Sequence, residues 1–99
     1  MTAEMPERFE REVADSEAEW LRLLPQALGS HPWQREASSV RVAIGEGCLA
    51  ITWMSLPSRR IALLQLPTLR VAFQFDGVPI EARNAFMQHF DLHMHRGGG

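Results

Sequence analysis

At 99 residues and 11.2 kDa, the chain has room for one hydrophobic core and no second domain. A hydrophobic fraction of 45% is too high for intrinsic disorder, and a formal net charge of -2 gives no overall electrostatic case for nucleic acid or a membrane surface. All 10 basic residues are Arg, Tyr is absent and Cys48 is the single cysteine, which excludes a Schiff-base or phosphate-loop lysine, a tyrosine acid or base, an internal disulfide and a multi-cysteine metal centre.

The N-terminal run Met1-Thr2-Ala3-Glu4-Met5-Pro6-Glu7 is acidic where a secretory leader is basic, and no apolar stretch approaches the ~20 residues of a membrane span. With one unpaired cysteine, this points to a reducing, cytoplasmic setting. Residues 1–5 and 96–99, the latter including Gly97-Gly98-Gly99, are expected to be flexible ends of a single 1–99 domain. Charge divides the chain: eight acids face four Arg through Glu36, and four acids face six Arg from Ala37 onward. An acidic helix with a solvated face accounts for the first part.

Pro6 suits the first turn of that helix, and Phe9, Val13, Trp20, Leu24 and Leu28 recur at helical spacing behind it. Pro25 should end or kink it near Leu24. Ser16-Glu17-Ala18-Glu19 matches a capping box, so a break near Asp15 is the alternative. Gly29-Ser30-His31-Pro32 reads as a loop, with Trp33 just beyond it.

From Val40 the period becomes two. A turn at Glu46-Gly47 would set Val40 opposite Trp53, Val42 opposite Ile51 and Ile44 opposite Leu49, with all six on one face. Ser55-Leu56-Pro57-Ser58 reads as a loop, followed by a short strand with Ile61 and Leu63 and a tight connection at Leu66-Pro67-Thr68. Leu69, Val71, Phe73 and Phe75 then give the clearest alternation in the chain, with Ile61 expected opposite Phe73 and Leu63 opposite Val71. The sheet closes at Asp76-Gly77. Pro79 opens a second helix with Ala82, Ala85, Phe86 and Phe90 as its apolar stripe and Glu81 in its first turn. The predicted fold class is α+β in two layers: an N-terminal helix, a four-stranded antiparallel β-meander and a C-terminal helix, with both helices on one sheet face.

Few residues suggest chemistry. His89 and His93 are spaced for one helix face, with His95 and Asp91 nearby. A metal site would need further ligands, so a solvated tail explains this group better than a metal centre. Cys48 lies beside a turn with no His placed near it, no Ser stands in a nucleophile elbow, and Glu46, Asp76, Glu81 and Asp91 suit turns or helix ends. Gly45 and Gly47 flank Glu46 in a hairpin rather than a strand-to-helix phosphate loop. The element order resembles double-stranded-RNA-binding domains in outline. Their basic helix start is absent, with Arg83 alone in the first turns, so no nucleic-acid partner follows.

The outer sheet face is more informative. The expected register places Arg41, Arg60 and Arg70 there among Ala43, Ala50, Ala62, Ala72, Leu64, Met54, Thr52 and Gln74. A solvated face would carry more polar groups, and Arg with Met is enriched in interface cores where Lys is depleted. A bland alternative is a mildly apolar face covered by the segment carrying Trp33. The functional expectation is a small non-enzymatic interaction module without cofactor or metal. It would self-associate as a homodimer through this face or a sheet edge, with Arg41, Arg60, Arg70 and Leu64 as contact residues. The alternative is an anionic ligand held by the Arg group, or a metal held by the C-terminal His group.

Overall fold

A computed structural model describes residues 5–96; for Arg59, Ile61, His95 and Arg96 it describes the main chain alone. Where the spacing predicts a helix, the first element is a strand, β1 (Arg8–Val13). Phe9 and Val13 are four apart, a separation that one helix face and one strand face share. The strand prevails because Phe9, Arg11 and Val13 turn to the half-buried side together while Arg8, Glu10 and Glu12 stay exposed. Phe9 stacks on Phe73 at 4.7 Å between ring centres, and the Arg11 guanidinium lies 5.3 Å from the Phe9 ring centre.

The helix starts later, at α1 (Glu17–Leu28), where the capping alternative placed a break. Ser16 Oγ accepts the Glu19 N–H at 3.2 Å, which satisfies one of the helix's unpaired donors. Arg22 binds the Glu19 carboxylate, and that hydrogen bond holds the carboxyl below its usual range. Pro25 does not end the helix as expected. The turn continues to Leu28 because Leu24, Ala27 and Leu28 are all buried on the same side, while Pro25 faces solvent. Gly29, at φ 67, closes it with its N–H on Gln26 O at 3.2 Å.

The remaining strands are β2 (Trp33–Arg35), β3 (Ser39–Ile44), β4 (Gly47–Ile61) and β5 (Leu64–Asp76), followed by helix α2 (Ile80–Arg96). The sheet order is β1-β5-β4-β3-β2, antiparallel throughout. Four consecutive strands, β2 to β5, form the meander. The fifth, β1, lies against β5, and α1 carries the chain across the sheet to the opposite edge.

Two registers differ from expectation. Val40 pairs with Ile51, Val42 with Leu49 and Ile44 with Gly47, so the turn is Gly45-Glu46. Gly45 adopts φ 59, and a Cβ on Gly47 would lie 2.3 Å from Gly77 O, so both glycines are needed where they stand. The shift is two residues and leaves every side chain on its expected face. The second difference is larger. The proposed loop at 55–58 and turn at 66–68 are absent, and β4 and β5 form one long hairpin that turns at Ala62-Leu63. Ile51 faces Phe73 and Trp53 faces Val71, while Ile61 pairs with Leu64. Pro57 and Pro67 are accommodated at a register shift between Leu56 and Arg59, on strand edges that lack further partners among the described residues.

Both helices cover one face. Trp20, Leu24 and Leu28 from α1 and Phe86 and Phe90 from α2 share a core with Val42, Ile51, Trp53, Val71 and Phe73. Trp20 meets Trp53 at 5.7 Å, and Phe90 stands edge-on to Phe73 at 5.5 Å. The predicted flexible ends fall mainly on residues 1–4 and 97–99, which lie outside the described residues. Met5, however, is held in place: its N–H donates to Asn84 Oδ1 at 3.0 Å, and Arg83 Nε donates to its carbonyl at 2.9 Å. No described helix is long and apolar enough to cross a membrane.

Candidate interaction surfaces

The outer face can be built row by row from the pairings. Gln34, Arg41, Ala50, Gln74 and Arg8 lie across the five strands in one row, and Ser39, Thr52, Ala72 and Glu10 in the next. Met54, Arg70 and Glu12 form a third. β1 thus adds Arg8, Glu10 and Glu12 to a face that the sequence reading left without acids. Glu12 Oε2 approaches Arg70 Nη2 at 3.8 Å, which gives Arg70 an acceptor. The alternation that signals β1 (Arg8-Phe9-Glu10-Arg11-Glu12-Val13) was available in the chain, but the helical reading of Phe9 and Val13 obscured it. Trp33 stands opposite Val42, on the helix-covered side, so it does not screen the outer face. Cys48, half-buried, lies between Ala43 and Asp76.

Arg41 and Arg70 share this face, and Arg60 and Leu64 do not join them. Arg60 lies ten residues beyond Ala50 along β4, roughly 30 Å from Arg41 at strand rise. The register shift also separates Arg60 from Leu64. Arg60 faces Gln65 while Leu64 faces Ile61, so the two side chains stand on opposite sides of the ribbon. Ala62, expected on the flat face, is the turn residue, at φ 56.

Both residues instead belong to an arm. β1 accompanies β5 only from Leu69 to Gln74, and β3 accompanies β4 only from Gly47 to Thr52. Beyond these limits Leu56–Thr68 continues as a two-stranded ribbon, about 20 Å long, with no strand on either outer edge among the described residues. None of its described side chains is buried. Leu63 is 99% exposed and Leu64 64%, and Met54 at its base is 57% exposed.

A cavity of about 710 Å³ opens at the same end of the sheet. Its walls are Val13, Trp20, Val71, Phe73, Phe90 and Met94, and its rim carries Arg11, Glu12, Asp15 and Asp91. Arg11 grips Asp91 through both guanidinium nitrogens at 2.5 and 3.2 Å. The Trp20 indole Nε1–H is buried with no hydrogen-bond partner among the described residues, whereas Trp53 Nε1 donates to Glu17 Oε2 at 2.9 Å.

The histidines engage the main chain. His89 Nε2 lies 3.2 Å from Gln26 O and His93 Nδ1 lies 3.0 Å from His89 O, with the two rings 4.2 Å apart. The His95 side chain lies outside the described residues, and no group of three or more His, Cys, Asp or Glu able to hold a metal occurs among those described. A smaller cavity of about 310 Å³ beside His31 and His89 has Ile44, Phe86 and Ala82 as its apolar lining. Comparison with protein-family models, curated proteins and solved structures finds no match to the chain.

Proposed function

We propose that the chain is a non-enzymatic interaction module that self-associates as a homodimer, using the β4–β5 arm and the sheet edges it leaves open. The observation that carries this reading is the arm itself, a ribbon whose two edges are unpaired among the described residues, with a fully exposed leucine at its tip. An isolated two-stranded hairpin is marginal in water, and unpaired apolar strand edges are templates for a further chain. A second copy related by a two-fold axis is the commonest such partner. The titratable groups support the non-enzymatic part: Arg11 pairs with Asp91, Arg22 with Glu19 and Arg70 with Glu12, and His89 and His93 engage carbonyls. Arg41, Arg60 and Arg70 do not converge, so the anionic-ligand alternative gains nothing from the geometry. A cytoplasmic setting belongs to the same proposal and rests on the single cysteine.

Light scattering on size-fractionated protein tests the reading. A dimer is expected at high micromolar concentration. Leu64→Glu places a charge on the apolar arm and is expected to give a monomer whose near-ultraviolet dichroism matches the parent. A wild-type monomer at that concentration overturns the proposal.

A further inference from the structure

We infer that the outer edge of β1 is a second contact between copies of this chain, independent of the arm. Two β1 strands pair there antiparallel about a two-fold axis at Phe9, which joins two sheets into one. Main-chain direction is the first argument. Phe75 N–H donates to Glu7 O at 2.7 Å, so the odd residues of β1 bond to β5, and Arg8 and Glu10 point their N–H and C=O groups to the open edge. No strand among the described residues receives them. β1 pairs with β5 over six residues without a bulge and contains no Pro or Lys, so charge is what guards this edge. β2, the other edge strand, is only three residues long.

Charge is the second argument. Residues 7–11 read Glu-Arg-Phe-Glu-Arg, an order that inverts its own signs about Phe9. Only a register that sets even residues against even residues uses the open main-chain groups. Centred on Phe9, it places Arg8 opposite Glu10 of the second copy, twice, on the outer face. Centred on Arg8 or on Glu10 it opposes identical charges, and centred on Arg11 it sets Glu10 against Glu12. Opposite charges directly across a ladder stabilise it and like charges destabilise it, so the pattern selects one register and one partner strand. Among the described residues neither Arg8 nor Glu10 has an ion pair of its own; Arg11 keeps Asp91 and Glu12 keeps Arg70, and neither is needed. Phe9 is the third argument. It is half-buried at the sheet edge, although the Phe73 ring it stacks on is 2% exposed. At the axis the two Phe9 residues form a non-hydrogen-bonded pair, the closer kind, and cover each other.

A six-residue edge makes this the weaker contact, populated above the concentrations at which the arms associate. Charge reversal in the Leu64→Glu protein, which removes the arm contact, tests it. That protein is expected to be monomeric at high micromolar concentration and to dimerise at millimolar concentration on sedimentation equilibrium. Adding Arg8→Glu or Glu10→Arg is expected to weaken the millimolar dimer about tenfold, because each puts two like-charged pairs across the axis. An equimolar mixture of the two reversed proteins is expected to regain the parent affinity, since every opposed pair is again opposite in sign. Amide exchange gives a second readout. Arg8 and Glu10 are expected to exchange more slowly in the millimolar sample than in a dilute one, while Phe9, whose N–H already faces β5, stays unchanged. A millimolar monomer, or a mixture no tighter than either reversed protein alone, overturns the β1 pairing and leaves the arm reading standing. A wild-type monomer at high micromolar concentration overturns the arm reading alone, because the mixture scores the β1 pairing independently.

Discussion

Phe73 shows how one side chain can report on a whole register. It is 2% exposed, stacked on Phe9 from β1 and edge-on to Phe90 from α2, so it ties the sheet edge to the helix layer. Phe73→Ala is expected to cost about 3–5 kcal/mol, a large share of the ~5–15 kcal/mol by which domains are stable. A loss below about 1 kcal/mol on denaturant unfolding would contradict that placement. Ala62 makes the opposite case. Its φ of 56 is a left-handed conformation that costs an L-residue about 1–2 kcal/mol and glycine almost nothing. Ala62→Gly is therefore expected to tighten the arm turn, read as slower amide exchange at Leu64 and Leu66. Faster exchange there would show that the strain is not what limits the turn.

At the scale of elements, the capping of α1 decides where the N-terminal segment stops being strand. Ser16 ends the extended run by offering its hydroxyl to Glu19 N–H, which lets Trp20 begin the buried stripe. Ser16→Ala is expected to lower stability by about 1 kcal/mol, measured as a shift in the urea midpoint without a change in slope. The β4–β5 hairpin makes the complementary point. Pro57 and Pro67 look like loop residues because each removes a ladder donor. Both lie where the outer edge has no strand among the described residues to receive one, so the hairpin runs through them. α2 keeps His89 and His93 one turn apart, but both imidazoles already hold main-chain carbonyls. Replacing His93 and His95 with Gln is expected to leave the melting temperature nearly unchanged, and the purified protein is expected to contain no stoichiometric zinc. Elemental analysis that finds one zinc per chain, lost in the double variant, would restore the metal alternative.

Across the whole molecule, Leu64→Glu separates fold from association. Leu64 lies on an arm with no buried side chain among those described, so the substitution is expected to dissociate the proposed dimer and leave unfolding of the helix-covered core unchanged. The chain alone determined which faces are buried. Val40, Val42, Ile44, Leu49, Ile51, Leu69, Val71 and Phe73 alternate strictly, and a slip of two residues moves none of them off the core side. It likewise determined two helices on one side of an antiparallel sheet, because each carries one apolar stripe and a sheet has one face to meet both. Only the tertiary structure decided the pairing partners, since parity is blind to shifts of two. It also made a strand of residues 8–13, where positions four apart satisfy either period until Phe73 provides the ring that Phe9 stacks on. The same holds for the contact residues. Arg41 and Arg70 were legible as one face, while Arg60 parted from them because a one-residue irregularity at Pro57-Ser58 reverses β4 beyond it, and Leu64 because it lies out on the arm past the other strands.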